Sequence, residues 1–511
     1  MKIVLTADRT LMSDYNNIIF LGFAACAPKF IPGWLYELIF CPPLKEEENG
    51  QIINGHCGQR KIQSALMQGG FSDKDIAVIS PNNLSKFIQE DTKVLCITTH
   101  DPLGLGPASS TFSDLGGREP YTSYFFRKLV THPSIRKHDV KVLVGGSGAW
   151  QVANEKIMEQ YGIDCVVLGE GEITAVDLIN KIMNSESIPK IVQGAVVPLE
   201  NIPLIKKPTI NGIIEITRGC GRGCRFCNPT MLNFRSQPIE YIKKEAMINA
   251  KVGNIITLHA EDVLRYKADG FIPNEEAVRA LFTEMKKISP NIGISHFAYS
   301  SVVAKPDLIE DISNILEVGS PKYPFLSGQV GIETGSSDLI SKYMKGKVKP
   351  FKPNEWRDIV IQGNNILHDN NWVPVETLIV GLPKETSADV RKTIDLIEDL
   401  SPYKSLIVPL FFVPLGTLKE NAKFSKDKCT ADHWELLALS INHTLKWTKQ
   451  IVSEEPLNEI NGVKKWLLKQ VISALERKMK PYLKLMEEGE NPLRLSKKYN
   501  LSPPKIHREG L

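Results

Sequence analysis

The sequence predicts an α/β chain made of two successive strand–helix halves followed by a helical end. Three observations carry this. Residues 1 to about 200 alternate short β-branched runs with helical stretches, and several runs stop at Gly, Asp or Pro, as buried parallel strands do. The alternation resumes near Gly212, now with polar groups at the strand C-termini, where a barrel of βα units presents its site. Beyond about Lys419 the apolar residues fall at helical spacing instead. At 511 residues the chain is also too long for one simple core. The expected domains are 1–205, 206–420 and 421–511.

In the first half the predicted strands are Lys2–Thr6, Ile76–Ser80, Val94–Thr98, Val140–Val144 and Cys165–Leu168. This pattern argues a doubly wound sheet, whose ligands sit beyond the strands' carboxyl ends. Three turns stand at those ends. They are Thr99-His100-Asp101-Pro102-Leu103-Gly104, Gly145-Gly146-Ser147-Gly148 and Gly169-Glu170-Gly171-Glu172. Glycine in such turns lets the backbone approach a large ligand closely. Residues 201–212 carry two prolines and no periodicity, and read as a linker.

In the second half the predicted strands are Ile213–Thr217, Ile255–His259, Gly293–Ala298, Gln329–Ile332, Val375–Val380 and Leu406–Val413. Six strands are enough for a partial barrel. Helical spacing then covers Trp434–Trp447 and Val463–Met479, where Trp434, Trp447 and Trp466 read as core.

The composition, 42% hydrophobic and 23% charged, is that of a water-soluble globular protein. No apolar run approaches the roughly 20 residues that span a bilayer. The first residues read as a strand and not a signal peptide, so the expected location is the cytoplasm. Nine cysteines without paired spacings suit a reducing compartment. A net charge of +4 is too weak to argue for nucleic acid. From Asn461 to Leu511, however, twelve Lys or Arg face five Glu, which is either a solvated face or a docking surface for an acidic partner.

The most informative segment is Cys220-Gly-Arg-Gly-Cys224-Arg-Phe226-Cys227. Three thiolates at this spacing can hold three irons of a 4Fe–4S cluster, whereas electron-transfer clusters use four cysteines. The fourth iron is then open to a substrate. A zinc knuckle would need four closed ligands; no second cysteine pair lies nearby, and Cys429 is distant.

This segment, with Phe226 before the last cysteine, resembles the signature of the radical S-adenosylmethionine (SAM) enzymes. The resemblance implies that the open iron chelates the amino and carboxylate groups of SAM, whose cleavage gives a 5′-deoxyadenosyl radical. Upstream, GGSG after one strand and GEGE after the next resemble the cobalamin-binding domain that precedes many radical SAM modules. The implied fold is a Rossmann-like cobalamin-binding domain, a partial (β/α)6 radical SAM barrel and a small helical C-terminal domain. Cobalamin contacts are then expected from Thr99, His100, Asp101, Gly104, Gly145, Gly146, Ser147, Gly169, Glu170, Gly171 and Glu172. There is one departure. Asp8-Arg9-Thr10-Leu11 follows the first strand, without the Asp-x-His-x-x-Gly histidine that ligates cobalt in domains of the methionine-synthase type. His100 follows the third strand, where a hydrogen-bonding role is expected. Tyr15 and Tyr121 are candidates to approach cobalt or the open iron.

For SAM, Glu261 and Asp262 stand after the second barrel strand, where an acidic side chain would complete the ammonium site; either could instead cap the next helix. Glu333 in Gly-Ile-Glu-Thr-Gly-Ser and Gly381 in Leu-Ile-Val-Gly-Leu-Pro resemble the family's segments beside the ribose and the adenine. Ser300 and Ser301 are weaker candidates. Together these features resemble the cobalamin-dependent radical SAM methyltransferases, which transfer a methyl from methylcobalamin to an unactivated carbon and draw on a low-potential electron donor. The loop continuing Asn228-Pro-Thr-Met-Leu-Asn-Phe-Arg235, with the basic tail, is similar to the methanogen group that C-methylates a glutamine of methyl-coenzyme M reductase. A protein or peptide substrate would follow. Three alternatives stay open: the same chemistry on a lipid, tetrapyrrole or antibiotic precursor; a methylthiotransferase with a second cluster drawn from Cys26, Cys41, Cys57 and Cys96; and a non-catalytic cobalamin sensor.

Overall fold

The computed structural model describes residues 1–17, 19–454 and 462–492. The chain forms two compact units. Among the described residues, one comprises 1–214 and 244–254 and the other 215–243 and those from 255 to 492, so the division falls inside one strand and inside one helix.

The first unit is a parallel sheet of β1 (Ile3–Ala7), β2 (Ile76–Val78), β3 (Val94–Thr98), β4 (Lys141–Gly145), β5 (Cys165–Leu168) and β6 (Ile191–Gln193), in the order β2-β1-β3-β4-β5-β6. All five residues of β1 are buried, because alternate side chains enter different cores. Val4, Leu95, Ile97, Val142 and Val144 pack on one side with Phe126. Ile3, Leu5, Val94, Leu143 and Val167 pack on the other with Leu66. The strand order reverses between β1 and β3, and in such sheets the ligand crevice lies at the carboxyl ends beside the reversal. The predicted strands are therefore found, each end moving by up to two residues. The additional β6 is a three-residue edge.

The segment expected as a linker is packed instead. Ile202, Ile205, Thr209 and Ile210 are buried. Thr209 donates through its backbone N–H and its hydroxyl to Asn249 Oδ1 at 2.8 and 3.0 Å. Beside it lies the ion pair Lys61–Glu245, 2.5 Å, both side chains buried.

In the second unit, β7 (Ile213–Glu215) leads to an antiparallel pair, β8 (Thr217–Arg218) and β9 (Arg235–Ser236). Then follow β10 (Ile256–His259), β11 (Ile292–Ile294), β12 (Leu326–Glu333), β13 (Trp372–Val380) and β14 (Leu406–Phe411). They form two three-stranded sheets, β11-β10-β7 and β12-β13-β14. A parallel bridge between His296 and Gln329 joins them. Gln329 N–H donates to Ser295 at 2.7 Å and Phe297 N–H to Gln329 at 3.0 Å. The result is the expected six-stranded partial barrel.

The helical end does not stand apart. Helix Ala431–Glu454 belongs to the second unit, where Thr444 Oγ1 donates to the Ile407 carbonyl of β14 at 2.7 Å. Trp434 is buried as expected, whereas Trp466 is 60% exposed on helix Gly462–Glu487 and is no core residue. Residues 493–511 of the basic tail lie outside the described residues. Among the described residues no helix is long and apolar enough to cross a membrane.

Candidate active site

The cysteine loop hangs between β8 and β9, whose pairing Thr217–Ser236 and Arg218–Arg235 closes its base. Gly219, Gly221 and Gly223 have φ of +74°, +67° and +68° and alternate with the other residues. Side chains rarely adopt that region, so this triple turn needs glycine. A Cβ at Gly219 would also lie 2.5 Å from the Asn233 carbonyl. Cys220 and Gly221 both donate backbone N–H to the Met231 carbonyl, at 2.9 and 2.8 Å.

Two arginines anchor the loop, Arg222 from within it and Arg265 from outside. Arg222, buried, donates Nη2 to Asp262 Oδ2 at 2.8 Å and to Ser301 Oγ at 3.0 Å, and Nη1 to the carbonyls of Gly346, Lys347 and Lys349 at 3.1–3.3 Å. Ser301 Oγ in turn donates to Asp262 Oδ2 at 2.7 Å. Arg265 Nη1 donates to the Cys220 carbonyl at 2.5 Å, and its guanidinium stacks 4.6 Å from the Phe234 ring centroid and 4.9 Å from that of Phe271. A Cβ at Gly346 would collide with the Arg222 carbonyl, and one at Gly416 with the Cys227 carbonyl, so both glycines are docking points for the loop.

Arg222 and Lys347 act on the thiols, each paired with a carboxylate. Lys347 Nζ pairs with Glu333 Oε1 at 2.7 Å. Cys224 is held below the usual thiol range because Cys227 hydrogen-bonds to it, with Lys347 and Arg222 adding positive charge against the effect of burial. That same hydrogen bond and burial push Cys227 up, and burial pushes Cys220 up. Three thiols on one clamped loop, with Arg222 and Lys347 acting on them, fit a cluster whose thiolates bring negative charge.

The other predicted SAM residues divide. Asp262, Ser300 and Ser301 are occupied in holding the loop; Ser300 Oγ donates to the Lys347 carbonyl at 2.8 Å. Asp262 therefore acts through Arg222 and not as an open carboxylate. Glu261 and Phe226 are half-buried. Glu333 closes β12 at φ +65°, beside a register shift between Gly331 and Glu333. Gly381 has φ +84° and donates its N–H to Glu385 Oε2 at 2.7 Å, with the Phe424 ring seated against it. Sequence reasoning missed Lys347, Arg222, Arg265, Glu215, Arg218, His259, His296 and Gln329. A usable signal was their place, since several of the polar residues lie at or just beyond strand ends.

In the first unit, the turns after β3 and β4 touch. Cβ atoms at Gly146 and Gly148 would collide with the carbonyls of Thr99 and His100, and Thr99 Oγ1 donates to the Gly145 carbonyl at 2.9 Å. Asp101 Oδ1 accepts from Gly106 N–H at 2.8 Å and Gln151 Nε2 at 2.6 Å, Glu170 Oε2 accepts from Val197 N–H at 2.9 Å, and Glu172 begins the next helix. Those three carboxylates shape turns. Gly104 sits at φ +68° with the Pro120 ring against it, and Gly171 precedes the helix of Glu172. His100, Gly146, Ser147 and Gly169 face outward, and His100 Nδ1 lies 2.9 Å from Ser147 Oγ. The turn after β1 holds Asp8, buried, with Oδ1 accepting from Thr10 N–H at 2.9 Å; burial pushes its carboxyl up to about 6. Tyr15 and Tyr121 do not offer free hydroxyls. Tyr15 Oη donates to the Thr10 carbonyl at 2.8 Å and Tyr121 Oη to the Ile31 carbonyl at 2.9 Å. Small residues and outward backbone along the strand ends fit the edge of a broad, flat ligand such as a corrin.

Residues 214–397 match the family model described as the radical SAM superfamily. This stretch is a radical SAM domain. Among curated proteins, the chain is 26% identical to a tRNA-2-methylthio-N(6)-dimethylallyladenosine synthase of Natranaerobius thermophilus, over 52% of this chain and 57% of that protein. It is 25% identical to an uncharacterised protein of Methanocaldococcus jannaschii, over 57% and 66%. The chain thus spans about two thirds or less of the length of these relatives. Among solved structures, it matches the radical S-adenosylmethionine methyltransferase TsrM of Kitasatospora setae with cobalamin and a 4Fe–4S cluster bound, at TM-score 0.54 and 13% identity, over 82% of this chain and 77% of that one. The TsrM structure with tryptophan substrate and a SAM analogue matches at TM-score 0.55 and 14% identity, over 82% and 75%. The likeness covers both kinds of sheet, and it establishes the fold.

Proposed function

We propose that this chain is a cobalamin-dependent radical SAM C-methyltransferase. One observation carries the proposal: a three-cysteine loop on a partial barrel follows, along the chain, a parallel sheet whose strand-end turns suit a corrin, and the fold is similar to that of TsrM with cobalamin and a 4Fe–4S cluster bound. Cys220, Cys224 and Cys227 would hold the 4Fe–4S cluster, and Arg222 and Arg265 fix their loop. Glu261, Glu333 and Gly381 are the remaining candidates for SAM. His100, Ser147 and the turns at Gly145 and Gly169 would line the cobalamin, with no histidine after β1 to ligate cobalt. When bound, the cluster and SAM supply one-electron chemistry and the corrinoid supplies the methyl group.

The substrate class we favour is a protein, with a glutamine of methyl-coenzyme M reductase as the first choice and a low-potential donor as electron source. A peptide bearing that glutamine, incubated anaerobically with the reconstituted enzyme, SAM and a reductant, should gain one methylene by mass spectrometry. An unmodified peptide, with S-adenosylhomocysteine and 5′-deoxyadenosine still formed, would move the search to small molecules. Removing the chain from Asn461 onward should weaken peptide affinity without abolishing SAM cleavage.

The methylthiotransferase relatives give a second reading, which needs another cluster in the first unit. The four candidates there, Cys26, Cys41, Cys57 and Cys96, are spread over separate features. Cys41 packs among Tyr15, Tyr36 and Tyr121, its thiol donating to the Arg9 carbonyl at 3.2 Å. Cys96 lies within β3 against the Ile3 and Leu5 core, and Cys57 opens helix Cys57–Gln68.

A further inference from the structure

The inner face of the second unit's barrel is lopsided. The outer residues of its strands, such as Ile256 and Leu258 or Ile407 and Phe411, are buried. Several of the alternating residues are half-buried. On β13 and β14 these include Thr377, Ile379, Leu406, Val408 and Leu410; on β7, β10 and β12 they include Ile213, Glu215, His259, Ser327 and Gln329. The first set is mostly apolar and the second mostly polar.

The polar wall has an internal order. Arg218 clasps Glu215 with two hydrogen bonds, Nε to Oε1 at 2.9 Å and Nη2 to Oε2 at 2.7 Å, so the two charges compensate each other. The His259 and His296 rings meet edge to face with centroids 6.1 Å apart. His296 hydrogen-bonds the Gln329 side chain and the Ala260 backbone, which leaves its buried Nδ1 as the ring atom with no hydrogen-bond partner among the described residues. A buried polar atom left unmet costs about 1–3 kcal/mol. Glu261 acts electrostatically on both His259 and Cys220, which sets this wall beside the cysteine loop.

We infer that Glu215, Arg218, His259, His296 and Gln329 form a recognition site for an uncharged amide of the substrate, a carboxamide or peptide group. This rests on the reading of the barrel as a methyltransferase site. A neutral imidazole offers one N–H and one bare nitrogen, which match the carbonyl and N–H of an amide. Burial keeps both rings uncharged at neutral pH, lowering His296 to about 4. Arg218 and Glu215 satisfy each other's charge, which leaves an uncharged group as the partner that disturbs this wall least. A site built to hydrogen-bond an amide also rejects analogues that lack it.

The test uses the full chain with isotope-labelled histidine, free of iron, SAM and cobalamin, and follows the ring signals of His259 and His296 by NMR. Propionamide should shift both saturably, with propionate and propylammonium weaker by about tenfold or more. His296→Leu should remove the response, while His296→Gln, which keeps a donor and an acceptor, should retain part of it and guards against a folding defect. The site is wrong if propionate shifts the signals as readily, if S-adenosylhomocysteine shifts them and propionamide does not, or if none does. Because no cofactor is present, a failure here leaves SAM cleavage and methyl transfer to be judged separately. Conversely, an amide response without those coproducts would leave the site standing and remove the methyltransferase reading.

Discussion

The two units treat their ligand-facing edges in opposite ways. In the first, the turns after β3, β4 and β5 leave small or uncharged groups outward, and the carboxylates of Asp101 and Glu170 are spent on backbone N–H groups. In the second, the loop is surrounded by buried charge: Arg222 against Asp262, Lys347 against Glu333 and Arg265 on the Cys220 carbonyl. A flat neutral macrocycle is accommodated by shape and close backbone approach. A clustered anion is accommodated by placed cations. The chemistry of each ligand is thus imprinted on the kind of residue that frames it.

Four substitutions probe this contrast. The largest effect belongs to Cys224→Ala, which should remove cluster absorbance and all 5′-deoxyadenosine formation. Cobalamin binding should persist; its loss with the cluster would mean that the edges are not separately built. Next is Arg222→Met, which strands Asp262 in a buried site. Breaking a buried pair in this way costs about 3–5 kcal/mol, and chemical denaturation of the second unit should report it along with slower cluster loading. An unchanged midpoint would show that Arg222 does not hold the loop.

Gly148→Ala is the counterpart in the first unit. Its Cβ collides with the His100 carbonyl, and forcing extra volume into a packed site costs about 1–3 kcal/mol. Cobalamin affinity should fall while iron content stays the same. The smallest effect is expected away from both edges, at Glu376. This fully buried carboxyl accepts from Tyr299 Oη and from Asn364 Nδ2, the latter at 2.9 Å, and burial raises its pKa. A raised native value means that stability is full below the ordinary carboxyl range and falls as pH climbs through the native pKa. Glu376→Gln should therefore gain on the wild type over the window of rising pH above the ordinary carboxyl range, read in urea titrations. A constant difference across that window would show that Glu376 does not titrate there.

Much of this was legible in the sequence. The cysteine spacing, the barrel strands and the glycine turns all announce themselves within short segments, because each is local. What the sequence hid is long-range. Arg222 meets Asp262 across 40 residues, and Lys347 sits in Lys345-Gly-Lys-Val-Lys349, which reads as a solvated basic run. Asp262 looked like an open acid until its partner appeared. The strand β6 is too short and exposed to show a pattern, and segment 201–212, aperiodic by sequence, is fixed by Asn249 far along the chain. His259 and His296 escaped notice because a single histidine at a strand end says little until a second one faces it.

The most direct measurement is anaerobic reconstitution of the full chain with iron, sulfide and cobalamin, followed by SAM and a reductant, counting clusters, corrinoid and coproducts together. One cluster and one cobalamin per chain, with both S-adenosylhomocysteine and 5′-deoxyadenosine released, is the predicted result. Two clusters and no retained cobalamin would contradict the methyltransferase assignment and favour methylthiolation.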